Sequence, residues 1–324
     1  MKTRFHKLRS HLFIYVKGLA MGSADIIPGV SGGTIAFITG VYEDLLQSLR
    51  SFTPANFKKI LTEGIGVFWK TINGNFLTAL LLGIGTGIFT LAELMLYLLE
   101  YHPIPLWSFF FGLILISTLS VLRTVRKASV IVFAGFAVGI ILAVLITEAA
   151  VTQTPDALWF IFLSGAIAIC AMILPGISGS FILLLMGKYE YMLNALTELK
   201  ADVMAVFAGG AIIGLLSFSH FLSWLLKRFH DATIALLAGF MFGSLNKVWP
   251  WKVMMDTTTG KATLWNLENN SHLVEKKLTP ADYALLTDTP SQICPALGMA
   301  IFAIVFYLSI EWIARKIKTG GKKG

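Results

Sequence analysis

Two short stretches carry the residue types and spacing that could do chemistry: Pro28-Gly29-Val30-Ser31-Gly32 and Pro175-Gly176-Ile177-Ser178-Gly179. Proline donates no backbone hydrogen bond and drives the residue before it, Ile27 or Leu174, out of helical geometry. Glycine permits a tight reversal, and Ser31 and Ser178 are suited to cap the helix that follows. The pattern predicts a helix that starts abruptly, with bare N–H groups and the positive end of its dipole exposed to whatever faces it. Such a place can hold an oxyanion through the backbone. Candidate anion ligands are therefore Ser31, Gly32, Gly33 and Thr34 at one corner and Ser178, Gly179 and Ser180 at the other. Pro28, Gly29, Pro175 and Gly176 act as the breakers. A packing turn satisfied by its neighbours would use the same residues. Two copies in equivalent places favour a ligand site, and the chemistry names an anion without saying which.

Ionisable residues in apolar surroundings come next. Asp25 lies three residues before Pro28, and Met172 replaces it in the second copy. Glu93 and His220 occupy matching positions in two apolar stretches. All three are candidates for proton coupling, because burial can bring their titration into a useful range; hydrogen bonding within a helix bundle is the plainer role for Glu93 and His220. Glu43 and Glu190 follow the capping serines by 12 residues, about 18 Å if the helix is continuous, so each should gate or end its helix. Lys17 is expected to snorkel. Cys170 and Cys294 have no metal-ligand or CxxC spacing and read as packing thiols; no metal or cofactor is expected.

The surroundings of these residues are set by composition. Of 324 residues 56% are apolar and 14% charged, with a mean hydropathy of +0.75. No soluble domain of this size could bury that much apolar surface, so a soluble enzyme, a disordered chain and a disulfide scaffold are excluded. The chain reads as an all-α polytopic membrane protein. Residues 24–49 and 171–196 match at 12 of 26 positions, and 83–117 match 210–244 at 6 of 35. The chain is one unit written twice, 1–150 and 151–324. Each copy holds a broken or re-entrant hairpin (11–49 and 157–197) and three spans, near 75–99, 105–122 and 129–147, then 202–226, 232–249 and 293–313. The first hairpin's arms, about 12–22 and 30–41, are too short to cross the hydrocarbon, whereas 157–174 could.

An odd number of spans per copy predicts that the second is inverted. Charge agrees. With the N-terminus inside, the segments 1–17, 50–70, 123–127, 227–231 and 315–324 hold 19 of 26 Lys and Arg, the positive-inside asymmetry. The formal charge of +8 is thereby assigned to topology and anionic lipid, with no nucleic acid partner. The outer loop 250–292, with Trp249, Trp251 and Trp265 in or beside it, is expected as an interfacial cap or packing element. The N-terminus imitates a signal peptide, but Lys17 interrupts its apolar stretch, and it is read as mature sequence.

GLAMGSADIIPGVSGGTIAFITGVYEDLL (18–46) and its echo PGISGSFILLLMGKYEYML resemble the bacterial polyprenyl-phosphate (PopT-like) transporter family, and the resemblance spans essentially the whole chain. It implies a flippase returning undecaprenyl phosphate, the cell-wall lipid carrier, across the bacterial cytoplasmic membrane. The substrate partner would be a polyprenyl phosphate amid membrane lipids, with protons as a candidate coupling ion and both termini cytoplasmic. The corners are also similar to the Pro-Gly-x-Ser-Arg-Ser turn of membrane undecaprenyl-diphosphate phosphatases. The arginine position here holds Gly32 and Gly179, which leaves little positive charge for phosphoryl cleavage. An ion-coupled carrier of a small anion would share the same geometry.

Overall fold

The computed structural model describes residues 2–25, 31–149, 154–256, 262–263 and 273–320. In chain order the helices of the first half are α1 (Lys2–Asp25), α2 (Gly32–Ile38), α3 (Tyr42–Arg50), α4 (Pro54–Thr62), α5 (Ile65–Thr71), α6 (Gly74–Tyr101), α7 (Pro103–Leu122) and α8 (Val130–Glu148). The second half holds α9 (Leu158–Ile173), α10 (Gly179–Leu185), α11 (Tyr189–Thr197), α12 (Ala201–Arg228) and α13 (His230–Ser244). Strands β1 (Lys252–Asp256), β2 (Ala262–Thr263) and β3 (Leu273–Lys277) follow, then α14 (Pro280–Thr287) and α15 (Ile293–Gly320). The sequence repeat is written into these bounds. The two motif helices α2 and α10 are both seven residues, α3 and α11 both nine, and α6 and α12 both 28.

Among the described residues four helices are long and apolar enough to cross a membrane: α6 over Gly74–Leu91, α7, α8 and α12. The expected span 293–313 lies within the 28-residue α15, whereas the second-copy stretch 232–249 is helical only as the 15-residue α13. The arm expected over 12–22 belongs to the 24-residue α1, lengthened by the polar residues before it. The stretch 157–174 forms the 16-residue α9, about 24 Å long and short of a full crossing. The chain is mostly helical, in keeping with the all-α expectation, with one addition. Part of the 250–292 loop forms an antiparallel sheet in the order β2-β1-β3, with Met254 facing both Thr263 and Glu275. Trp265 lies outside the described residues.

The chain forms two compact units, 1–92 with 121–244, and 93–120 with 245–324. Within the first, close helix pairs meet at glycines. A Cβ on Gly18 of α1 would come within 2.2 Å of the Leu80 carbonyl oxygen on α6, and one on Gly165 of α9 within 2.3 Å of the Phe207 oxygen on α12. Gly18 and Gly165 are repeat mates. Backbone-to-backbone approach of this kind is how helices gain van der Waals contact where lipid removes the hydrophobic drive. The later spans cross the repeat boundary. In the first unit α13 packs on α8, with Gly239 against the Phe136 carbonyl. In the second, α7 packs on α15, with its repeat mate Gly112 against Ala300. Each copy thus lends its third span to the other copy's second.

The second unit has its own core, in which Ile104, Trp251, Val253, Tyr283 and Ala296 pack together with Trp249 beside them. Trp249 Nε1 donates to the Leu278 carbonyl at 2.9 Å and Trp251 Nε1 to the Ser291 carbonyl at 2.6 Å. Both rings are packing elements with their polar edges satisfied.

Candidate functional site

At the first corner Ser31 is extended (φ −117°, ψ 128°) and caps α2, its Oγ accepting from the Gly33 N–H at 3.1 Å. The Gly32 N–H, next to it, donates to Asp25 Oδ1 at 2.6 Å. The other carboxylate oxygen, Oδ2, is buried and has no hydrogen-bond partner among the described residues. Asp25 thus occupies the place at the helix start where an external oxyanion was expected. At the other end of α2, Lys17 Nζ donates to the Thr39 carbonyl at 2.7 Å. The end of α1 sets a carboxylate at the positive pole of α2 and an ammonium at its negative pole, the favourable sense at both. Lys17 is therefore a helix cap and not simply a snorkelling side chain. Pro28 and Gly29 lie outside the described residues.

The second corner is built differently. Pro175 is buried, and Gly176 takes φ +90°, which glycine adopts freely. Ser178 stands at the N-cap of α10 but caps no amide with its side chain, contrary to expectation. Its hydroxyl pairs with Ser180 Oγ at 2.8 Å. The asymmetry follows from the sequence: Met172 stands where the first copy has Asp25, so α10 receives no carboxylate from the preceding helix.

The two corners meet. The Gly176 N–H donates to Thr34 Oγ1 at 2.7 Å, and Ser31 Oγ donates to the Met172 carbonyl at 3.5 Å. Gly33 abuts the same segment so closely that a Cβ there would lie 2.6 Å from the Met172 carbonyl oxygen and 3.0 Å from that of Ile173. Ser31 and Thr34 are each 1% exposed. Ser31, Gly33 and Thr34 are thus brought against Met172, Ile173 and Gly176. Gly179 packs on α9, where a Cβ would meet the Ala168 carbonyl oxygen at 2.7 Å.

Both motif helices end alike. The N–H groups of Gly40 and Val41 donate back to the carbonyls of Phe37 and Ala36, and those of Gly187 and Lys188 to Leu184 and Leu183. With φ +71° at Gly40 and +62° at Gly187, these are paired Schellman endings. They correct the expected continuous helix out to Glu43 and Glu190. Those two residues lie exposed in the first turns of the separate helices α3 and α11. Glu93 is exposed on α6. His220 bonds the Leu216 carbonyl of its own helix through Nδ1 at 2.7 Å. Among the described residues no hydrogen bond links these four to the corners.

Sequence reading overlooked Lys188, which replaces Val41 in the second copy. It is 1% exposed, and its ammonium donates to the Thr154 carbonyl at 2.7 Å and to Asp156. The rings of Phe160 and Tyr191 flank it at 5.8 and 5.6 Å. This clasp ties the start of α9 to the start of α11. The signal was available as a lysine in an otherwise apolar repeat position.

Residues 21–264 match the VCA0040-like family model, described as undecaprenyl phosphate translocase-like. The chain belongs to that family. It is 45% identical over 313 residues to a polyprenyl-phosphate transporter of Vibrio cholerae serotype O1, covering 96% of this chain and 99% of the relative. It is also 33% identical over 256 residues to a polyprenyl-phosphate transporter of Staphylococcus aureus, covering 72% of this chain and 85% of that protein. No solved structure matches the chain. With its apolar helices, this membership marks a membrane protein of a transporter family, and the phosphatase alternative falls.

Proposed function

We propose that the chain carries a polyprenyl phosphate, undecaprenyl phosphate in the bacterial cytoplasmic membrane, between leaflets for reuse as cell-wall lipid carrier. The relatives' names support the substrate. The observation that carries the site is the meeting of the two corners through Thr34 and Gly176, beside a serine, Ser178, whose hydroxyl caps no backbone amide of α10 and pairs with the Ser180 hydroxyl. A phosphate head is costly in hydrocarbon while its tail belongs there, so the protein has only to shelter the head. In this reading Ser178, Gly179 and Ser180 hold phosphate at the second corner. Ser31, Gly32, Gly33 and Thr34 complete the site once Asp25 gives way.

Asp25 supplies the coupling. Its carboxylate and a phosphate cannot both take the Gly32 amide without two anions meeting in a poorly solvated place. Protonation of Asp25 would release that amide as phosphate arrives, which makes protons the coupling ion. The two copies, 1–150 and 151–324, are taken as inverted repeats with both termini cytoplasmic, in line with the distribution of Lys and Arg. Alternating access of one against the other would present the corners to each leaflet in turn. The test is transport of a labelled polyprenyl phosphate in vesicles with and without a pH gradient. Rates indifferent to both the gradient and Asp25→Asn would overturn the coupling.

A further inference from the structure

The two motif helices are fastened at the same backbone atom by different residues. Thr39 and Met186 are repeat mates, and each stands just past the last residue of its helix, α2 or α10. In the first copy Lys17 Nζ donates directly to the Thr39 carbonyl at 2.7 Å. In the second, the Thr154 hydroxyl donates to the Met186 carbonyl, and Lys188 holds Thr154 in turn, donating to its carbonyl at 2.7 Å. The mate of Lys17 is Ser164, whose hydroxyl bonds the Phe160 carbonyl of its own helix, and the mate of Lys188 is Val41. Each copy thus brings a lysine to the closing end of its motif helix from a position where the other copy has none.

That end needs a hold. A seven-residue helix is two turns, too short to keep its place alone. Its last carbonyls have no partner within the helix, and a cation near them meets the negative pole of the dipole. α1 grips α2 at both ends, through Asp25 at the Gly32 amide and Lys17 at the Thr39 carbonyl. α10 receives no carboxylate at its start, because Met172 stands where the acid would be. The bond from Thr154 at its other end therefore weighs more in fixing its axis. Residues 154–156 belong to no helix or strand, and Lys188 is what orients Thr154. Its ammonium also pairs with Asp156 and lies 5.8 and 5.6 Å from the rings of Phe160 and Tyr191. The Asp156 side chain is 64% exposed, so the ion pair adds little by itself. What the buried lysine accomplishes is to aim Thr154 at the end of α10.

We propose that Lys188 and Thr154 are positioning residues of transport. They fix the closing end of α10 and, through its two turns, the direction in which Ser178, Gly179 and Ser180 face a phosphate. This role rests on the phosphate reading of the second corner given above. The test follows transport of a labelled polyprenyl phosphate into vesicles by the full chain, as a function of lipid concentration, together with the melting temperature. Thr154→Val keeps the side-chain shape and removes the donor to Met186, whereas Thr154→Ser keeps the donor. One neutral hydrogen bond corresponds to about a 3- to 10-fold change in an equilibrium. The KM of Thr154→Val should rise by that factor with the maximal rate retained, and Thr154→Ser should stay near wild type. Lys188→Met is the second variant. It leaves no buried charge behind, since Asp156 faces water, so the protein should fold and show the same rise in KM. A wild-type KM in either folded variant, equal impairment by the valine and serine changes, or a lower maximal rate at unchanged KM would overturn the positioning role. The Ser178→Ala, Ser180→Ala protein is run alongside. Wild-type transport by that protein would remove the phosphate reading. Its loss beside a wild-type Thr154→Val would remove only the role of the clasp.

Discussion

Thr34→Val tests whether the two corners are held together as described. The substitution keeps the shape of the side chain and removes the acceptor of the Gly176 N–H, now 2.7 Å away. Both residues are buried, so water does not readily replace the hydroxyl. Leaving a buried donor unsatisfied costs about 1–3 kcal/mol, roughly a 5- to 150-fold change in a local opening equilibrium. Amide hydrogen exchange resolved at Gly176 should accelerate by that factor in Thr34→Val. Thr34→Ser, which retains the hydroxyl, should stay much closer to wild type. Equal exchange in wild type and Thr34→Val would refute the reasoning, as would equal acceleration by the serine and valine variants.

Three further outcomes are expected. Gly33→Ala should destabilise far more than Gly40→Ala in thermal melts, because a Cβ at Gly33 meets the Met172 carbonyl at 2.6 Å while at Gly40 nothing lies within 4 Å. The Gly40 change then costs only the positive φ of +71°, about 1–2 kcal/mol. Burial lowers the Lys252 ammonium from 10.5 to about 7, so the folded state holds its proton less tightly than the unfolded state. The penalty is full below pH 7 and is relieved as pH rises toward 10.5, by at most about 5 kcal/mol. Exchange protection in β1 should therefore increase from pH 7 to 9, and Lys252→Met should flatten that rise. Asp25→Asn, which keeps an acceptor for the Gly32 amide, should leave the fold intact and make vesicle transport insensitive to pH.

The repeat in the sequence made much of the local structure legible. It placed α2 and α10, and α6 and α12, in matching registers, because the glycines and the helix-breaking residues act through local geometry alone; the breaks that separate α3 and α11 from them were not read. Helix partnership was not legible. Gly112 and Gly239 are repeat mates, yet one meets α15 and the other α8, and a glycine says only that something comes close. The length of α13 was misjudged because apolar content continues past the residues that stay helical, whereas α9 fell within one residue of the expected 157–174 at each end. The sheet over β1–β3 was hidden in a loop read by its charges and tryptophans. At the corners the Ser31 cap was legible and the partners of the other residues were not. Asp25 was noted as ionisable, but only folding reveals its carboxylate on the Gly32 amide. Ser31 and Ser178 look identical in sequence and differ in use, because Met172 replaces the acid that completes the first corner.

That difference supplies the most direct measurement of the central claim. Ser31→Ala would remove a helix cap and confuse stability with binding. Ser178 and Ser180 bond each other and Ser178 caps nothing, so the double change to alanine should leave the melting temperature near wild type. Transport of a labelled polyprenyl phosphate into vesicles at subsaturating lipid should then fall at least about tenfold, the loss of one good charge-assisted contact. Wild-type transport by a normally melting Ser178→Ala, Ser180→Ala protein would contradict a phosphate site at the second corner.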